Sequence, residues 1–117
     1  MRCDHIKIFQ TVYLLTLEAY RMAGNFPREH KYTLGEKIKQ SGHELLDLVA
    51  LANAARDKRE TLNQLGIKLE SLRVCLRLAF DLKIISPGKL EAFNRQVENI
   101  ARQISGWQKW ASKEKGV

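Results

Sequence analysis

The chain is read as all-α, an up-down-up-down antiparallel four-helix bundle made by a single domain over residues 1–117. Three observations predict this. Apolar residues recur at spacings of three and four, the period of one helix face. No segment alternates apolar and polar residues with the β-branched enrichment of a strand. The 117 residues are one domain's worth of chain, since domains run to about 100–150 residues, and only two prolines and seven glycines interrupt them.

The first helix is expected over about residues 4–22. Asp4 serves as N-cap, and Ala23-Gly24-Asn25-Phe26-Pro27 closes the helix with a glycine and then a proline. The second, about 33–55, places Leu34, Ile38, Leu45, Val49 and Ala52 on one face and ends in the charged run Arg56-Asp57-Lys58-Arg59. The third, about 60–84, carries Leu62, Leu65, Leu69, Leu72, Leu76 and Ala79 in heptad rhythm. Ser86-Pro87 then gives an N-cap followed by proline at the first helical position. The fourth helix, about 87–110, repeats the rhythm with Leu90, Phe93, Val97, Ile100, Ile104 and Trp107. Residues 112–117 have no apolar face and are expected as a frayed tail. Helices of this size extend about 28–38 Å, and the short connections make successive ones antiparallel.

Two helices carry more apolar residues than a core stripe needs. Ile67, Val74 and Leu78 fall opposite the Leu65/Leu69/Leu72/Leu76 seam, and Ile8, Leu15 and Met22 form a heptad line beside Phe9, Tyr13 and Tyr20. A lone bundle exposes part of this surface, and contiguous exposed apolar patches mark interaction sites. The sequence therefore predicts a homo-oligomer with Ile67, Val74 and Leu78 at its interface.

Composition excludes several function classes. With 44% hydrophobic and 28% charged residues the chain has the make-up of a soluble globular protein. Its longest apolar runs, such as Tyr13–Leu17, fall far below the roughly 18 residues of a membrane span. No secretory leader is legible at the start, so a cytoplasmic location is expected, with Cys3 and Cys75 as reduced thiols. Di-iron bundles need Glu-x-x-His pairs, but the residues three before His30 and His43 are Pro27 and Gln40. The Arg-to-His spacing of four to six that marks one class of helical RNA-cleaving domains fails at both histidines as well. Cys3 and His5 are two ligands where a structural zinc site wants four. No phosphate loop or nucleophile elbow occurs. The expectation is a protein without catalytic residues, metal or cofactor.

What remains is charge. The net +7 with pI near 9.7 favours an anionic partner, RNA or DNA. It is uneven: residues 1–57 hold eight basic and seven acidic side chains, residues 58–117 twelve and six. Arg73 and Arg77 are one turn apart on the third helix, with Arg59 on the same side. Arg95, Arg102 and Lys109 are spaced by heptads along the fourth, about one charge per 10 Å. These six are the candidate phosphate contacts. Carboxylates at helical spacing (Glu70–Arg73, Arg77–Asp81, Glu91–Arg95, Glu98–Arg102) offer them intrahelical salt bridges instead. Trp110, beside the core heptad, is a candidate for an interface or a base-stacking surface.

Asn25-Phe26-Pro27-Arg28 with Tyr32-Thr33-Leu34-Gly35, then Leu72-Arg73-Val74-Cys75-Leu76-Arg77-Leu78-Ala79, then Ile104-Ser105-Gly106-Trp107, resemble the accessory variability determinant (Avd) proteins of diversity-generating retroelements. The resemblance covers most of the chain. It implies a non-catalytic four-helix bundle assembled as a homopentameric barrel, which binds nucleic acid through a basic surface. It also implies association with the element's reverse transcriptase in support of mutagenic cDNA synthesis. The family's basic residues carry over to Arg73 and Arg77. The four-helix-bundle proteins encoded in ribosomal RNA intervening sequences are the nearest alternative, and a helical protein-binding adaptor without nucleic-acid binding is a third.

Overall fold

The computed structural model of the chain describes the backbone of residues 2–116 and the side chains of residues 7–113. Among the described residues the secondary structure is entirely helical: α1 (Arg2–Gly24), a single turn α2 (Arg28–Lys31), α3 (Leu34–Ala54), α4 (Arg59–Asp81) and α5 (Pro87–Gly116). The four long helices stand in a ring in which α1 packs on α3 and α5, and α4 packs on the same two. α1 and α4 are therefore diagonal partners. The bundle is a rod, 52 × 22 × 20 Å.

The predicted seams form the core. All six named third-helix residues, the five of the second and Phe93, Val97, Ile100, Ile104 and Trp107 are buried, and from α1 they are joined by Ile8, Val12, Leu15, Ala19 and Met22. Trp110 is half-buried against this core and lies at its edge. α1 meets α3 over small residues: Ser41 and Gly42 of α3 are buried, and Gly42 faces Thr16.

The ends depart from expectation in four places. α1 begins at Arg2, so Asp4 lies within it; the side chains of Cys3, Asp4 and His5 fall outside the described residues. Between α1 and α3 the chain makes the extra turn α2, its His30 and Lys31 N–H groups donating to the Pro27 carbonyl. α4 ends at Asp81 rather than near residue 84, because Lys83 takes a left-handed conformation (φ 64°). The Ile84 N–H then reaches back to the Ala79 carbonyl at 2.9 Å, the 6→1 closure of a Schellman motif. Finally, α5 continues to Gly116 through the residues expected to fray.

Polar groups fix the other boundaries. Ser86 Oγ accepts from the Lys89 N–H at 3.1 Å, the expected N-cap of α5. At the charged 56–59 run, the Lys58 ammonium donates to the carbonyls of Ala52 and Ala55, both at 2.8 Å, and of Asn53 at 3.3 Å. It thereby covers the carbonyl end of α3, where a cation is favoured. Asp57 Oδ1 accepts from the Arg59 N–H at 3.2 Å and starts α4.

Candidate nucleic-acid interface

The six predicted phosphate contacts lie on α4 and α5 but do not form one surface. Arg59 begins α4 and Lys109 stands in the last third of α5, at one end of the rod. Arg77 is near the opposite end of α4. Arg73, Arg95 and Arg102 line an open groove of about 640 Å³ between α4 and α5, over Phe80, Pro87 and Leu90.

Their electrostatic states differ more than their positions. Arg73 bridges two carboxylates, Glu70 on its own helix and Glu98 on α5, each at 3.1 Å, with its side chain 29% exposed. It ties α4 to α5. Arg77 pairs with Asp81 at 3.1 Å and Arg95 with Glu91 at 3.2 Å, both out in solvent. Arg59 is held by both oxygens of Asp57, and that hydrogen bond and charge raise its pKa above the ordinary guanidinium value. Glu98 reaches across to Arg73 instead of forming the intrahelical pair expected with Arg102. The interhelical gap brings a second cation within reach that spacing along one helix does not reveal. Arg102 consequently has no ion pair among the described residues, and Lys109 has none either.

Cations beyond these six share this property. Arg28, Lys31, Lys37, Lys83 and Lys89 at one end of the rod, and Lys7, Arg56 and Lys113 at the other, have no carboxylate partner among the described residues either. For Lys37, Lys89, Lys109 and Lys113 the signal is in the sequence: no Asp or Glu stands three or four residues away on either side. Lys58 is different, its charge being absorbed by three carbonyls.

The apolar surface divides in two. Ile67, Val74 and Leu78, at 54%, 64% and 47% exposure, form the outward face of α4. On α1 the exposed residues are Phe9, Tyr13, Leu14, Leu17 and Tyr20, bordered by α3 through a 2.6 Å hydrogen bond between Tyr20 Oη and His43 Nε2. The Lys39 ammonium stands 5.2 Å from the Tyr20 ring centroid. Because α1 and α4 are diagonal, the two stripes face away from one another. Ile8, Leu15 and Met22, the heptad line beside the aromatic residues, are core.

Other chemistry is sparse. Among the described residues no three His, Cys, Asp or Glu side chains are grouped as metal ligands, and no helix is long and apolar enough to cross a membrane. Cys75 is buried, which pushes its thiol pKa up, partly offset by the positive charge of Lys37.

Compared with known proteins, the family model described as bAvd-like matches residues 7–111. No curated protein matches the chain.

Proposed function

Because the chain belongs to the bAvd-like family, whose match runs through all four long helices, we propose that it is a non-catalytic accessory protein of a diversity-generating retroelement. In this reading it acts in the cytoplasm, binds nucleic acid through phosphate contacts and associates with the element's reverse transcriptase to support mutagenic cDNA synthesis. The observation that carries nucleic-acid binding is the set of exposed cations without carboxylate partners, on a bundle with no module that reads a groove. Such contacts give affinity without sequence information.

The pairing refines the six candidates. Exposed ion pairs are worth about 0–1 kcal/mol, so a phosphate can displace Asp81 from Arg77 or Glu91 from Arg95 at little cost. Arg102 and Lys109 need no displacement. Arg73, clamped by two carboxylates, positions α5 against α4, and its replacement should weaken the fold as well as any binding.

Assembly belongs to the same reading. The α1 stripe from Phe9 to Tyr20 and the α4 stripe from Ile67 to Leu78 each span about 16 Å of helix, and they point in opposite directions. An α1 face on one copy set against the α4 face of the next makes a head-to-tail contact, which closes into a ring when the rotation allows. Five copies is the number the family resemblance implies.

Titration of a fluorescent oligonucleotide at increasing salt tests the binding. Log affinity should fall linearly with log salt, by about 0.7 per neutralised single-strand phosphate or 0.9 on duplex, and Arg102→Gln with Lys109→Gln should flatten the slope by roughly 1.4–1.8. Affinity unchanged between about 50 and 200 mM salt would refute phosphate binding. Retention of the element's reverse transcriptase on the immobilised protein tests the partner.

A further inference from the structure

The net positive charge resides at the two ends of the rod. Its waist, residues 11–20, 41–49, 64–76 and 93–104, holds four basic and five acidic side chains, net −1. The end built from residues 21–40 and 77–92 holds eight basic and four acidic, net +4. The end built from 2–10, 50–63 and 105–116 holds the same numbers, again net +4.

Pairing sharpens the contrast. The cross-helix ion pairs Lys68–Glu44 (3.0 Å) and Arg73–Glu98 (3.1 Å) lie in the waist, where Arg102 is the one cation without a carboxylate among the described residues. The unpaired cations are otherwise terminal: Arg28, Lys83 and Lys89 are among those at one end, Arg56, Lys109 and Lys113 among those at the other. Along α5, Lys89 of one end and Lys109 of the other stand about 30 Å apart, several times the Debye length of about 8 Å at physiological salt. The two ends therefore act as independent fields, and no continuous basic track along the sides connects them.

We infer that each end is a separate phosphate-binding site and that the protein bridges two nucleic-acid segments, one at each end. This rests on the nucleic-acid reading above and goes beyond it. A single strand laid along the rod would cross a neutral-to-acidic waist, whereas two segments each meet a cationic cap. In a ring of parallel rods, every copy adds to the same two rims.

The test is capture in two steps. A biotinylated hairpin duplex of about 8 base pairs, about 27 Å long at 3.4 Å per pair and shorter than the roughly 30 Å of α5 between Lys89 and Lys109, is immobilised and loaded with protein. A second, fluorescent duplex of the same length is then added. The parent should retain it. Two variants each reverse one end: Arg28→Glu/Lys83→Glu/Lys89→Glu and Arg56→Glu/Lys109→Glu/Lys113→Glu. Both should still load onto the first duplex, with capture of the second falling by about tenfold or more, the scale expected when several phosphate contacts are lost. All six residues are exposed, and circular dichroism checks the fold; should a Glu set unfold, the matching Gln set takes its place.

Parent protein that loads but never captures a second duplex overturns bridging and leaves phosphate binding standing. Capture at parental level by either single-end variant overturns it too, since one end then suffices. Failure of the parent to load on any duplex overturns bridging of duplexes, and failure to bind a single strand as well overturns the nucleic-acid reading itself and points the cationic ends toward an acidic protein.

Discussion

A methyl group at position 42 would lie 2.7 Å from Thr16 Oγ1 and 2.8 Å from its Cγ2, closer than packed atoms come, so the bare glycine backbone sets how near α1 and α3 approach. Thr16 cannot swing away freely, since it is buried and its hydroxyl donates to the Val12 carbonyl at 2.9 Å. Gly42→Ala gains about 1 kcal/mol of helix propensity but overpacks the contact by about 1–3 kcal/mol, so a net loss of up to about 2 kcal/mol is expected. Adding Thr16→Ala removes both offending atoms. Urea unfolding should then show a double variant more stable than the sum of its parts by at least about 0.5 kcal/mol; simple additivity would mean the clash is relieved elsewhere. At this scale the sequence shows residue type and spacing but not cross-helix partners. The heptad leucines of α4 were legible because burial follows the 3.6-residue period. Nothing in the spacing of Glu98 tells that it turns to Arg73, or in that of Lys58 that it covers three carbonyls.

α4 shows the same division at the scale of the element. Its start at Arg59 and its buried face follow from periodicity, while its end does not, because the apolar Ile84 and Ile85 continue the pattern past the point where the backbone turns. What stops the helix is Lys83 at φ 64°, a conformation that costs a side chain about 1–2 kcal/mol and a glycine little. Lys83→Gly should therefore raise stability by about 0.5–1 kcal/mol, read as a higher urea midpoint at unchanged slope. A loss of stability would show that the lysine side chain holds the turn. α5 was under-read for the opposite reason. Without an apolar face, residues 112–117 give no periodic signal, yet no proline or helix-ending motif stops the helix before Gly116.

On the scale of the molecule, the exposed area of 7291 Å² exceeds the roughly 6500 Å² of a compact monomer of this mass. The Cα radius of gyration of 14.9 Å likewise exceeds the roughly 13.4 Å of a globular chain of this length. The excess is the slender rod with its two uncovered apolar stripes, and association should remove it. Light scattering at micromolar concentration should give a closed multiple of 13.5 kDa, and Val74→Glu with Leu78→Glu should return the protein to monomer with helicity intact. A parent that runs as a monomer would leave the stripes without a role in assembly. The order of the helices around the ring was legible from short connections alone. It also shapes how the chain finds its fold, since three of the four packed interfaces join helices that follow one another in sequence. Only the α1–α5 seam, where Gln103 Nε2 donates to Thr11 Oγ1 at 3.1 Å across 92 residues, must close a long loop, at about 4 kcal/mol of chain entropy. Rapid folding with that seam joining last is the consequence. Disrupting the seam by Thr11→Ala with Gln103→Ala should steepen neither arm of a chevron, but lift the unfolding arm and leave refolding where it was.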